Sequence, residues 1–328
     1  MKPKLAFYWC ASCGGCEVAI LDLNEALLDL VEKADIVFWP CAMDFKRSDV
    51  EKMGDNHIDF SFINGAIRTS EDVEMADLLR KKSKHVVAFG SCSCFGGIPG
   101  LANMGSKKEM LERIYDTEST EERAVFPSVK FEFDGEILTL PEFLDEAKPL
   151  EEVIKVDYFI PGCPPQTEQT LEALDSLLNG RSDKKVFASA KSVCDECPRQ
   201  KEDKKLSTIK RIYEIQDDGR CLLEQGIPCL GPATAGGCGA RCVKANYPCT
   251  GCNGPTQEAI DQGARMIASL ASALGIEDEE KMEEKKVDEL IDEIIDPVGT
   301  FYKFSLPKSI LKKRWRDLDK SKTIGGRS

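Results

Sequence analysis

Fifteen cysteines stand in this 328-residue chain, and twelve of them fall into three groups of four that any fold must bring together. Eight lie in one tract: Cys194, Cys197, Cys221, Cys229, Cys238, Cys242, Cys249 and Cys252. Their spacings are C-x2-C, a long gap, C-x7-C, C-x8-C, C-x3-C, C-x6-C and C-x2-C. From about Cys194 to Gly254 the chain is rich in Gly and Pro and has little hydrophobic periodicity. Such a segment buries too little apolar surface to hold itself, so metal is the expected organiser. An odd cysteine count speaks against a closed disulfide framework. No apolar leader follows Met1-Lys2-Pro3-Lys4 and no membrane-length apolar run occurs, so a cytoplasmic, soluble protein is expected. Thiols in that compartment stay reduced.

The other quartet is spread over a different kind of sequence. Lys4–Trp9, Asp35–Trp39, Asp59–Asn64, His85–Gly90 and Val156–Ile160 read as short strands. Amphipathic segments lie between them. Glu17–Glu32 places Ile20, Leu23, Leu27, Leu30 and Val31 on one helical face, and Ser70-Glu71-Asp72 opens a helix through Arg80. Strands alternating with helices predict a parallel sheet covered on both faces. The expected class is α/β, a flavodoxin-like doubly wound domain over residues 1–180 that ends with the helix Gln166–Leu178. A Cys-rich, mostly irregular and helical domain follows over 181–300, then a basic tail over 301–328. Within the second part Thr256–Leu274 reads as a helix, and Glu277–Ile295 as a charged surface helix.

Cys13 and Cys16 follow the first of these strands, Cys92 the fourth and Cys163 the fifth. In an open parallel sheet, ligands bind beyond the carboxyl ends of the strands near the topological switch point, where these four thiols could converge. Gly14, Gly15, Gly90 and Gly162 would let backbone N–H groups approach the sulfurs. Cys41 reads as a plain buried cysteine. Cys10 and Cys94 could shield the site, or one could serve as a ligand. In the second half the simplest partition is sequential: Cys194, Cys197, Cys221 and Cys229, then Cys238, Cys242, Cys249 and Cys252. Zinc is the rival metal, since paired C-x2-C units also build zinc ribbons. Six cysteines between Cys221 and Cys252, with little strand signal and with proline beside Cys197, Cys229 and Cys249, favour iron–sulfur clusters. A net charge of −13 disfavours nucleic acid as a partner.

These residues resemble the small subunit of nickel–iron hydrogenases, nearest to the methyl-viologen-reducing, F420-non-reducing type associated with heterodisulfide reductase. The likeness lies in Trp9-x3-Cys13-x2-Cys16, in Gly90-Ser-Cys92 leading into Gly96-Gly-Ile-Pro-Gly-Leu101, and in Pro161-Gly-Cys-Pro-Pro165. It continues through Cys194-x2-Cys197-Pro-Arg, Gly231-Pro-Ala-Thr234, Cys249-x-Gly-Cys252 and Gly299-Thr-Phe-Tyr302, so it spans nearly the whole chain. The resemblance implies a proximal 4Fe-4S cluster on Cys13, Cys16, Cys92 and Cys163 and two further 4Fe-4S clusters in the second half. Many such subunits use a histidine at the cluster farthest from nickel. Here Cys194 stands at that position, and His57 and His85 both lie in the first half. Cys242 supplies a fourth thiol where a three-iron cluster would need only three. Many relatives also carry a glutamate two places after the second proximal cysteine; that place holds Val18 here, beside Glu17. Glu17 is thus a candidate for a proton path, with helix-start electrostatics the alternative.

No spare paired thiols remain to hold nickel, so no catalytic residue of its own is expected, and the catalytic large subunit is a separate chain. The expected role is to relay electrons from hydrogen oxidation to a small iron–sulfur or flavin partner such as a heterodisulfide reductase complex. The alternative is an electron-transfer or scaffold subunit in a heterodisulfide-reductase-like complex whose large partner lacks hydrogenase activity.

Overall fold

The computed structural model describes residues 2–123, 125–180, 183–202, 206, 208–274, 289 and 292–311. Its strands, in chain order, are β1 (Lys4–Trp9), β2 (Asp35–Phe38), β3 (Ile58–Asn64), β4 (Ile67–Thr69), β5 (Ser83–Phe89), β6 (Lys130–Phe133), β7 (Glu136–Thr139), β8 (Phe143–Lys148) and β9 (Tyr158–Ile160). Five of them form one sheet in the order β2-β1-β3-β5-β9. Every pairing in it is parallel. Numbered within the sheet alone, this is the 2-1-3-4-5 order of the flavodoxin-like class expected from the sequence.

Both faces of that sheet are covered. On one face Leu5, Phe7, Phe62, Val87 and Phe89 pack with Ile20 and with Leu174 and Leu177 of the helix Thr167–Leu178. On the other, Ala6, Phe38, Ile63, Val86 and Ala88 pack with Met75 and Leu79 of the helix Ser70–Lys82. Neighbours in one strand therefore point to opposite cores, and this accounts for continuous apolar runs where an amphipathic strand would alternate.

Three local expectations change. The helix read over Glu17–Glu32 is two helices, Gly15–Leu21 and Glu25–Lys33. Asn24 breaks it at φ +52°, a region Asn tolerates better than most residues, and its side chain donates to the Asp22 carbonyl at 2.9 Å. The helix read over Thr256–Leu274 starts only at Gln262. Asp261 Oδ1 accepts from the Ala264 N–H at 2.9 Å, and Ile260, just before this start, is 91% exposed. The antiparallel pairs β4–β8 and β6–β7 were not foreseen. Most of the charged helix expected over Glu277–Ile295, and the tail from residue 312, lie outside the described residues.

The Cys-rich half has more core than its composition suggests. Val193, Leu222, Leu223, Ile227 and Leu230 bury themselves against Met266 and Leu270 and against Phe301 and Tyr302. The apolar partners come from later in the chain. The segment around Phe304 then returns to the sheet: the Gly97 N–H donates to the Phe304 carbonyl at 3.2 Å. Pro307 fills the space over Gly96 and Gly100. Lys308 lies over the Phe95 and Phe159 rings, 5.4 and 5.7 Å from their centroids. Among the described residues, no helix is long and apolar enough to cross a membrane.

Candidate metal centres

The carboxyl ends of β1, β5 and β9 place Cys13 and Cys16, Cys92, and Cys163 at one edge of the sheet. The four thiols feel one another. Burial first, and then the Cys163 and Cys13 sulfurs, push the Cys92 thiol up to about 12. Burial also raises Cys16, helped by the charges of Cys92, Cys163 and Cys13. Four ionised sulfurs in such a place are expensive unless bound cations share their charge. The backbone suits them as well. The Ile98 amide lies against the Cys92 sulfur, and the Gly15 N–H faces Cys13 Sγ at 3.5 Å.

Two glycines keep this cradle open. Gly90 sits at φ +86°, and a Cβ there would overlap the Cys16 sulfur. Gly97, at φ +55°, would bring a Cβ to 2.5 Å from Cys92 Sγ. Only a residue without a side chain fits either place.

β3 lies between β1 and β5 and gives no thiol, but it gives Asn64. This buried amide accepts from Ser12 Oγ at 3.1 Å and donates to Glu17 Oε1. The Ser12 hydroxyl in turn accepts from the Gly14 N–H at 3.2 Å, inside the Cys13–Cys16 loop. Trp39 Nε1 donates to the other oxygen of Glu17. Glu17 is thus a buried carboxylate with both oxygens engaged, fastening the cysteine loop to β3 and to the residue just after β2. Asn64 and Trp39 carry no local sequence signal for this role, since the contacts span 47 and 22 residues.

The three cysteines left outside the groups behave differently from one another. Cys41 is exposed, contrary to the expectation, because it falls in the turn after β2 and not on the sheet. Cys94 is buried and its thiol donates to the Ala88 carbonyl at 3.3 Å, back toward the sheet. Cys10 is buried beside the Asp72 carboxylate.

In the second half, burial first, and then the sulfurs of Cys229, Cys221 and Cys197, push Cys194 up to about 12. Cys252 is likewise pushed up to about 12 by burial; Cys238 and Cys242 are among its neighbours, and the Cys163 amide lies against its sulfur. Cys249 is raised by burial, with Cys229 and Cys252 close by. Backbone amides meet these sulfurs too: Gly251 at Cys249, and Ala240 and Arg241 at Cys238. The Cys249 N–H donates to Cys229 Sγ at 3.3 Å. Among the described residues, no three His, Cys, Asp or Glu side chains converge on the position of a single metal ion.

Glu196, between Cys194 and Cys197, accepts from the Gly237 and Gly239 N–H groups and so holds the loop of Cys238 against the loop of the other pair. The halves of the chain also join near the thiols, where Ser91 Oγ donates to the Cys252 carbonyl. Phe95 packs where a Cβ on Gly254 would stand.

Residues 13–177 match the family described as NADH ubiquinone oxidoreductase, 20 Kd subunit. The chain is 40% identical over 330 residues to the iron–sulfur subunit of the F420-non-reducing hydrogenase of Archaeoglobus profundus, covering 96% of this chain and 99% of that one. It is 38% identical to a subunit of the F420-non-reducing hydrogenase of Methanothermobacter marburgensis, covering 94% and 96%. With a subunit of the same type of hydrogenase from Methanocaldococcus jannaschii it shares 41% identity over 83% and 89%. The chain belongs to the iron–sulfur subunit family of F420-non-reducing hydrogenases, the small subunits of nickel–iron hydrogenases, and is an electron-transfer subunit of an oxidoreductase whose active site lies on another chain.

Proposed function

We propose that this chain conducts electrons from hydrogen oxidation on a separate nickel–iron large subunit through three 4Fe-4S clusters in series. Cys13, Cys16, Cys92 and Cys163 hold the proximal one. Cys238, Cys242, Cys249 and Cys252 hold the middle one, and Cys194, Cys197, Cys221 and Cys229 the farthest, so the last two run in space against their order in sequence. When bound, such clusters accept and pass on single electrons at potentials set by hydrogen bonds to their sulfurs and by burial. The reading rests above all on two amides. That of Cys163 lies against the Cys252 sulfur, and that of Cys249 donates to the Cys229 sulfur. Each joins one quartet to the next through a ligand's own backbone.

Four-iron cubes are favoured over zinc by the density of cysteines from Cys221 to Cys252 and by the proline beside Cys197, Cys229 and Cys249, as in ferredoxin-type ligand loops. The proximal thiols face the catalytic subunit, and the Cys194 quartet faces the acceptor, an iron–sulfur or flavin partner such as a heterodisulfide reductase complex. The working place is the cytoplasm.

The test is hydrogen-driven reduction in the complex purified anaerobically with its large subunit, followed by electron paramagnetic resonance. Hydrogen should reduce clusters of all three quartets. In C252S the proximal signal should persist while hydrogen-dependent reduction beyond it slows by at least about tenfold, since a ligand of the middle relay is lost. Undiminished reduction of the Cys194 quartet in that variant would defeat the series order.

A further inference from the structure

The β6–β7 ribbon has every residue exposed. Its register pairs Lys130 with Thr139, Phe131 with Leu138, Glu132 with Ile137 and Phe133 with Glu136. The ladder extends by one bond, from the Leu140 N–H to the Val129 carbonyl at 3.0 Å. Side chains alternate across such a ribbon, so one face carries Val129, Phe131, Phe133, Leu138 and Leu140, with Glu136 near the tip. They are 44, 59, 65, 54 and 57% exposed. The opposite face carries Lys130, Glu132 and Thr139, with Ile137 the one apolar exception. An isolated two-stranded ribbon is marginal in water, and an exposed one-sided apolar face marks a surface built to be covered.

We propose that the apolar face of this ribbon docks on the large catalytic subunit, on an apolar strip bordered by basic side chains. This rests on the reading above that the proximal thiols face that subunit. Continuity with the proximal site selects the occupant. The ribbon leads directly into β8, which pairs with β4. Ala147 of β8 exchanges two hydrogen bonds, each 2.8 Å, with the Asn103 side chain. Asn103 belongs to the short helical segment Ile98–Met104, and that segment starts at the amide lying against the Cys92 sulfur. Ile98, Met104 and Phe143 expose further apolar surface along this path. Exposed apolar side chains thus recur along the elements that link the thiol edge to the ribbon. A second copy of this chain is the poorer occupant on charge. Residues 116–145 carry nine acidic side chains and two basic ones, so two ribbons set face to face would repel.

The experiment co-expresses this chain with its large subunit and isolates the complex through a tag on this chain. F131S/F133S/L138S should lower recovery of the large subunit by about tenfold or more, as expected for loss of central apolar anchors. Iron content and the cluster signals of this chain should stay unchanged. K130S/E132S, on the other face, should leave recovery unchanged. A photo-crosslinker placed at Phe133 in the otherwise native chain gives a readout that does not depend on the triple variant folding, and it should trap the large subunit. Full recovery with the triple variant, or crosslinks only to a second copy of this chain or to nothing, would overturn the proposal. Failure of the relay reading would show separately, as a wild-type complex that hydrogen does not reduce.

Discussion

A sulfur can bind iron only if the backbone beside it leaves room, and Gly90 illustrates how narrow that margin is. It joins β5 to the helix that carries Cys92, at a positive φ, with the Cys16 sulfur where its Cβ would be. Gly90→Ala adds both strain and overlap. We expect it to lose the proximal cluster while the other two remain, so that iron falls by about four per chain. Iron analysis of the anaerobically purified variant reads this, and an unchanged iron content would show that the backbone there gives way more easily than its geometry implies. The twelve thiols could be grouped from the sequence because spacing and flanking Gly and Pro are local signals. Asn64, Trp39 and Glu196 were not legible, because what they do depends on partners brought close only by the fold. The exposure of Cys41 was misread for the same reason, since sequence placed it after a strand without saying which way the turn would face.

At the scale of elements, the periodic segments were found and their ends were not. The helix Ser70–Lys82 is an example. Its cap is Thr69, one residue before the expected start: Thr69 Oγ1 accepts from the Asp72 N–H at 3.2 Å, and Asp72 accepts from the Thr69 N–H at 2.8 Å. This reciprocal box also sets the direction in which β4 enters the helix. Thr69→Ala should cost about 1 kcal/mol, the usual value of such a cap. It should be seen as a lower thermal midpoint with iron content unaltered; no change in midpoint would mean that Asp72 alone holds the helix start. The split of the first helix at Asn24 escaped notice because hydrophobic periodicity continues across the break. The β6–β7 ribbon escaped because its apolar alternation has no core to point to, and burial is what strand patterns ordinarily report.

For the whole molecule, the sheet order followed from strand and helix alternation, and so did the edge on which the first quartet gathers. The second half followed only in part. Its composition suggested a segment held by metal alone, yet Met266, Leu270, Phe301 and Tyr302 supply an apolar core from beyond the Cys-rich tract. The start of the segment read as a basic tail is packed on the first half, with Pro307 over Gly96 and Gly100 and Lys308 over the Phe95 and Phe159 rings. The proposed order, with the quartet latest in sequence between the other two, draws on the Cys163 amide at Cys252 and the Cys249 amide at Cys229, contacts that spacing does not encode. The central claim is that three four-iron clusters occupy these quartets, and iron per chain in the anaerobically purified protein tests it most directly. The account predicts about twelve irons; eight or fewer, or zinc in stoichiometric amount, would contradict it.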